Sequence, residues 1–137
     1  MKKRKTGVMV LAVAAVLTSQ LAFAASTWTD ARTWSLSSAD GFKTVTTTGT
    51  KCGATKTTDQ RTWDVYTVSK TMWTSPTARL VNSSNQVRSD EVVTVNAGRY
   101  ASGRQNTGNI GYAQYLAVRG SAFQMGVDTI KLQFKNY

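Results

Sequence analysis

Histidine is absent from this chain, cysteine and proline occur once each, and Glu91 is the one glutamate. Without histidine there is no Ser-His-Asp triad, no Cys-His dyad and no imidazole metal ligand. A single cysteine cannot close an intrachain disulfide or build a multi-cysteine zinc site. Acidic residues are also scarce, 7 against 17 Lys plus Arg. They form no calcium-loop spacing, and the chain has no Gly-rich phosphate loop and no Gly-x-Ser-x-Gly elbow. Paired-carboxylate chemistry needs two acids facing one cleft, whereas Asp90 and Glu91 point to opposite faces of any strand that holds them. These absences predict a protein that is not an enzyme, uses no cofactor and holds no metal.

The N-terminal 24 residues read as a secretory leader. Lys2, Lys3, Arg4 and Lys5 form a charged head, Gly7 to Leu17 is almost wholly apolar, and Ala22-Phe23-Ala24 supplies a small-residue cleavage site. The apolar run is shorter than the roughly 20 residues a spanning helix needs. The expected organisation is therefore a signal peptide, 1–24, followed by one domain, 25–137, that is released as a secreted, extracellular protein of a bacterium. Of the formal net charge of +10, four positive charges belong to the leader. That leaves 13 basic and 7 acidic side chains, a net of +6.

From Ala25 onward no helical period is sustained. Threonine is abundant and favours strands, and Gly or Ser-Asn clusters punctuate the chain. Arg32 to Leu36, Phe42 to Thr48, Arg61 to Lys70, Thr77 to Val81, Val87 to Val95 and Tyr112 to Arg119 read as strands. So does a final one in which Ile130, Leu132 and Phe134 face in while Lys131, Gln133 and Lys135 face out. Alternation breaks in Arg61 to Lys70, which requires burial on both faces or a bulge. Arg99 to Arg104 reads as a basic, aromatic loop, and Gly103 to Gly111 as a polar one. The fold class expected is all-β: an antiparallel β-sandwich of about six to eight short strands. An outer-membrane barrel is disfavoured, because Tyr137 shares its face with Lys135, Gln133 and Lys131 rather than with an apolar row.

Two further features stand out. Thr29-Asp30-Ala31-Arg32-Thr33-Trp34 is echoed by Thr58-Asp59-Gln60-Arg61-Thr62-Trp63, so that two strand starts each carry an Arg-x-Trp pair able to stack. Cys52 sits in a Gly- and Thr-rich stretch that reads as a loop, placing a free thiol where it could link two chains.

The candidate ligand-binding residues are Trp28, Trp73, Tyr66 and Tyr100, with Arg99 and Arg104. Aromatic faces on a secreted sandwich can stack on sugar rings, and the basic side chains can attract an anionic polymer or a phospholipid surface. Export argues against nucleic acid as the partner, and no helical moment supports amphipathic insertion. The leading expectation is a monomeric binding or interaction module whose partner is an anionic or carbohydrate cell-wall polymer. The alternative is a secreted cationic antibacterial or toxin-like protein. A third reading is a small hydrolase using Asp64, Asp90, Glu91 or Asp128.

The stretch Tyr115-Leu116-Ala117-Val118-Arg119-Gly120, a small loop, then Val127-Asp128-Thr129-Ile130-Lys131-Leu132 resembles the closing hairpin of short secreted all-β proteins of unassigned function from Gram-positive bacteria. The resemblance implies a similar small β fold and carries no catalytic residue across. The chain departs from that group by closing on Phe134-Lys135-Asn136-Tyr137.

Overall fold

The computed structural model describes residues 27–106 and 109–137. The expected leader and Gly108 of the expected polar loop lie outside the described residues. Eight strands follow in order: β1 (Arg32–Leu36), β2 (Gly53–Thr55), β3 (Thr62–Lys70), β4 (Thr77–Val81), β5 (Val92–Val93), β6 (Arg99–Arg104), β7 (Ala113–Arg119) and β8 (Asp128–Asn136). They make two four-stranded sheets, β1-β8-β3-β6 and β2-β7-β4-β5, with every neighbouring pair antiparallel. The fold is the expected all-β sandwich.

Alternation explains which side chains meet between the sheets. Trp34 and Leu36 from β1, Trp63 and Val65 from β3, Leu80 from β4, Leu116 and Val118 from β7 and Ile130, Leu132 and Phe134 from β8 are all fully buried. These positions are two apart within each strand, so each strand turns one face inward. At one end the interior becomes polar. The Gln105 amide donates to Asn136 Oδ1 at 2.9 Å and to the Thr62 carbonyl at 3.0 Å, and the Asn136 amide reaches the Ala54 carbonyl at 3.3 Å. That chain of amides ties the first sheet to β2 of the second. The Lys56 ammonium is also buried, and donates to the carbonyls of Gln60 and Tyr137. Burial holds the Lys56 pKa below the usual lysine value.

Single bridges stitch both long edges of the sandwich. Ser89 pairs with Gln105, flanked by Asp90 N to Arg104 O at 2.9 Å and Asn106 N to Arg88 O at 2.8 Å. On the other side Thr47 N donates to Thr33 O of β1 at 2.8 Å, while Lys43 pairs with Val118 of β7. Backbone groups at the β1 and β6 edges are thus partly capped, which blunts edge-to-edge association.

Several expected elements are corrected. Arg99 to Arg104 is not a loop but the edge strand β6. Its glycine is required by packing, because a Cβ on Gly103 would lie 2.5 Å from both Trp63 Nε1 and Val92 Cγ2. Gly53–Thr55, also read as loop, is β2, and Gly53 lets the Tyr115 ring lie against the backbone. Phe42 to Thr48 is not a continuous strand. It has single bridges at Lys43 and Val45 and one bond from Thr47 N to β1, and it turns as Thr46 Oγ1 donates to Thr50 O at 2.9 Å. Val87 to Val95 shrinks to the strand Val92–Val93 with single bridges at Val87 and Ser89; Leu80 N donates to the Ser89 hydroxyl at 2.8 Å rather than to a backbone carbonyl, and Thr94 gives both its N–H and its hydroxyl to Pro76 O. β3 is both buried on two faces and bulged. Asp64 is buried on the face opposite Trp63 and Val65, and the register with β8 shifts between Thr67 and Ser69.

Cys52 is a free thiol but is not exposed. It is a core residue, 2 % exposed, with its sulfur 3.3 Å from Thr29 Oγ1 and 3.8 Å from the Asp30 carbonyl. Burial pushes its thiol pKa up, the opposite of what thiolate chemistry needs. A disulfide to a second chain would require Cys52 to leave the core.

The echoed hexapeptides both lead into strands, and both tryptophans are fully buried. Their surroundings differ. Trp34 Nε1 donates to Lys43 O at 3.1 Å, whereas Trp63 Nε1 has no protein partner. The cation–π pairs among the described residues are Lys51–Tyr115, Arg79–Phe42, Arg119–Phe42 and Lys135–Tyr137, so neither Arg-x-Trp pair stacks.

Candidate functional site

Pairing register lays out the outer face of the β1-β8-β3-β6 sheet. Residues directly opposite on neighbouring strands share a face, and Lys135, Asp64 and Ser102 form one such row. The isolated pair Trp28–Lys135 extends it to Trp28. The next row is Gln133, Tyr66 and Tyr100, and on the other side Thr62 stands opposite Arg104.

Across these rows lies an aromatic group. The Trp28 ring centroid is 5.8 Å from that of Tyr66 and 6.4 Å from that of Tyr100, with interplanar angles of 59° and 61°. Tilted and edge arrangements at these separations are the favourable ones for aromatic pairs. Tyr66 is half-buried, but Trp28 is 37 % and Tyr100 60 % exposed. The cluster is therefore anchored at its base and open at its top. The backbone fixes Trp28: Thr29 N donates to Phe134 O at 2.9 Å, and Phe134 N donates to Thr29 Oγ1 at 3.0 Å.

Beside the rings sits a buried carboxylate. Asp64 is 5 % exposed although its strand turns it outward. Ser102 donates to its Oδ1 at 2.5 Å and the Tyr137 phenol to its Oδ2 at 2.6 Å. These charge-assisted bonds are short, as expected for an ionised acceptor. The Lys135 ammonium lies 4.7 Å from the Tyr137 ring centroid. The bond to Asp64, followed by burial, pushes the Tyr137 phenol up to about 12. Tyr137 is thus expected to ionise well above the ordinary tyrosine value when absorbance at 295 nm is followed to high pH. Asp64→Asn should bring it back toward the ordinary tyrosine value of about 10. Because the folded pKa is raised, the stabilisation is complete below pH 10 and is lost as pH rises from 10 toward 12. A wild-type titration with no late-ionising tyrosine would contradict this geometry.

Of the residues singled out in the sequence, the structure brings Trp28, Tyr66, Tyr100 and Arg104 to this one face. Arg99 lies opposite Thr67 on the alternate parity of β6 and so turns the other way. Trp73 lies beyond the end of β3, 75 % exposed and away from the aromatic group. Asp64, Ser102, Gln133 and Tyr137 complete the face. The shared parity of Gln133, Lys135 and Tyr137 was the sequence signal for part of it.

The acids do not converge. Glu91 accepts from Arg79 at 3.5 Å and Arg119 at 3.3 Å beside the second sheet, and Asp128 accepts from Thr71 at the start of β8. Phe42 lies under both of those arginines, at 3.8 and 4.9 Å, so that second basic and aromatic group is satisfied within itself. No family model, no curated protein and no solved structure matches the chain.

Proposed function

We propose that the protein is a secreted, non-enzymatic binding module of the bacterial envelope or medium. In this reading, the outer face of the β1-β8-β3-β6 sheet takes a carbohydrate polymer of the cell wall. The observation that carries it is the Trp28–Tyr66–Tyr100 group, held by backbone pairing and open to solvent, with polar groups on all sides.

The rings supply broad apolar faces against which the C–H face of a pyranose can lie with little loss of side-chain entropy. Gln133 and Ser102 offer hydrogen-bonding groups in the neighbouring positions. Lys135 and Arg104 place positive charge at the margin, which suits an anionic wall polymer. Asp64 acts as a positioning group, since its two bonds fix Ser102 and Tyr137.

Retention on purified peptidoglycan, anionic wall polymer and a neutral glucan tests this reading. Retention on at least one glycan, well above that of a charge-matched control protein, is expected. Retention no better than the control on every glycan would overturn it.

A further inference from the structure

The end of the sandwich where β3 finishes and β8 starts displays large apolar side chains to solvent. Trp73 is 75 % exposed, Phe123 78 %, Met125 84 % and Val127 71 %. Trp73 belongs to the β3–β4 connection and the other three to the β7–β8 connection. Hydrogen bonds join the two connections at their bases: Thr71 N donates to Thr129 O at 2.9 Å, and Thr71 Oγ1 donates to Asp128 Oδ1 at 3.3 Å.

The display is built rather than incidental. Gln124, between Phe123 and Met125, is buried, and its amide donates to the carbonyl of Leu36 at the end of β1. Phe123 N donates to Ser121 Oγ at 3.3 Å, and Gln124 N to Ser121 O at 3.1 Å. The chain is thus pinned at Gln124, with Phe123 and Met125 turned outward on either side. Gly126, at φ 79°, lets the chain turn back to Val127.

Charge around this end is graded. Asp40 is paired with Lys43 at 2.9 Å, and Glu91 with Arg79 and Arg119. Lys70, Lys131 and Arg99 carry no ion pair among the described residues, and Asp128 is the remaining acid. Lys131 stands opposite Ser69, and Arg99 opposite Thr67. They therefore lie one to three residues back from the end of β3, up to about 10 Å along the strand. That is the depth of a lipid headgroup layer above inserted side chains.

We propose that this end docks on an anionic phospholipid surface, with Trp73, Phe123, Met125 and Val127 entering the headgroup–acyl boundary and Lys70, Lys131 and Arg99 meeting lipid phosphates. A bilayer is favoured over a protein partner by the exposures themselves. At more than 70 % exposed, each side chain stands clear of its neighbours. A fluid surface accepts such separate projections, whereas a protein would need a pocket for each. Tryptophan is also the residue best suited to that depth. This surface is distinct from the aromatic face, so the two proposals stand or fall separately.

The test uses the purified protein, and Phe123→Ser/Met125→Ser with the same N-terminus. Each is co-sedimented with vesicles of phosphatidylglycerol and phosphatidylcholine, and with phosphatidylcholine alone. Partitioning onto the anionic vesicles is expected to fall by about tenfold or more in the double variant, with its circular dichroism unchanged. Brominated acyl chains should quench the parent's fluorescence, and much less that of Trp73→Phe. Equal partitioning of parent and double variant, or none by either, would overturn the proposal. So would self-association of the parent without vesicle binding, since that would assign the surface to a second copy. Should the double variant not fold, the Trp73→Phe quenching comparison still decides.

Discussion

Trp34→Ala is expected to lower the stability of the protein by about 3–5 kcal/mol, a large share of the total. The side chain is fully buried and its indole nitrogen donates to the Lys43 carbonyl at 3.1 Å. Tryptophan-to-alanine changes in cores cost about 3–5 kcal/mol, against a total stability of about 5–15 kcal/mol for a typical domain. Trp34 also packs in one continuous core with residues of β3, β4, β7 and β8, so the cavity would open at the centre of the sandwich. Trp73→Ala is the matched control. That residue is 75 % exposed, and its loss should shift stability by no more than about 0.5 kcal/mol. Urea unfolding followed by circular dichroism separates the two. Equal stability losses would contradict the assignment of core and surface.

The second large effect is expected in binding. Trp28→Ala and Tyr100→Ala should each weaken glycan affinity by about 10–100-fold, which corresponds to the loss of roughly 1–3 kcal/mol typical of an aromatic anchor. Neither change should unfold the protein. Trp28 is held by the bonds that the backbone N–H and the hydroxyl of its neighbour Thr29 make with the Phe134 backbone, and the Tyr100 ring is 60 % exposed. Phe42→Ala serves as the contrasting variant. It removes a ring that is already covered by Arg79 and Arg119 beside the other sheet, so glycan affinity should hold. A parallel loss in all three variants would point to a general weakening of the domain rather than to one face.

The parts of this molecule that could be read from the chain are those where apolar side chains recur at every second position. β1, β4 and β8 fall where Trp34 and Leu36, Ala78 and Leu80, and Ile130, Leu132 and Phe134 alternate with polar residues. β2 and β6 stayed hidden because Gly53 and Gly103 sit where strands ordinarily carry side chains. Their absent Cβ atoms make room for Tyr115 and Trp63, rings that come from distant positions. The Thr-rich segment misled for a different reason: threonine hydroxyls at 46, 48 and 50 bond one another and the backbone, and so favour a turn over a ladder.

The candidate site divides in the same way. Trp28, Tyr66, Tyr100 and Arg104 were recognisable as residue types that serve binding. The burial of Asp64 depends on a partner 73 positions away, Tyr137, and on a strand order that no local pattern encodes. The charge count changes meaning for a related reason. Arg79, Arg119 and Lys43 are absorbed by ion pairs with Glu91 and Asp40. The basic side chains left without an ion pair among the described residues include Lys135 and Arg104 on the aromatic face, Lys70, Lys131 and Arg99 near the apolar end, and Arg32, Lys51, Arg61 and Arg88 elsewhere.

The most direct test of the central claim is where a soluble glycan fragment lands on the protein. Amide and side-chain chemical shifts of isotopically labelled protein, titrated with fragments of the best-retained polymer, give that position. The account predicts shifts concentrated at Trp28, Tyr66, Tyr100, Ser102, Gln133 and Lys135. Saturable shifts concentrated instead around Asn82, Arg88 and Tyr112, which line a separate cleft at the end of the second sheet, would contradict it.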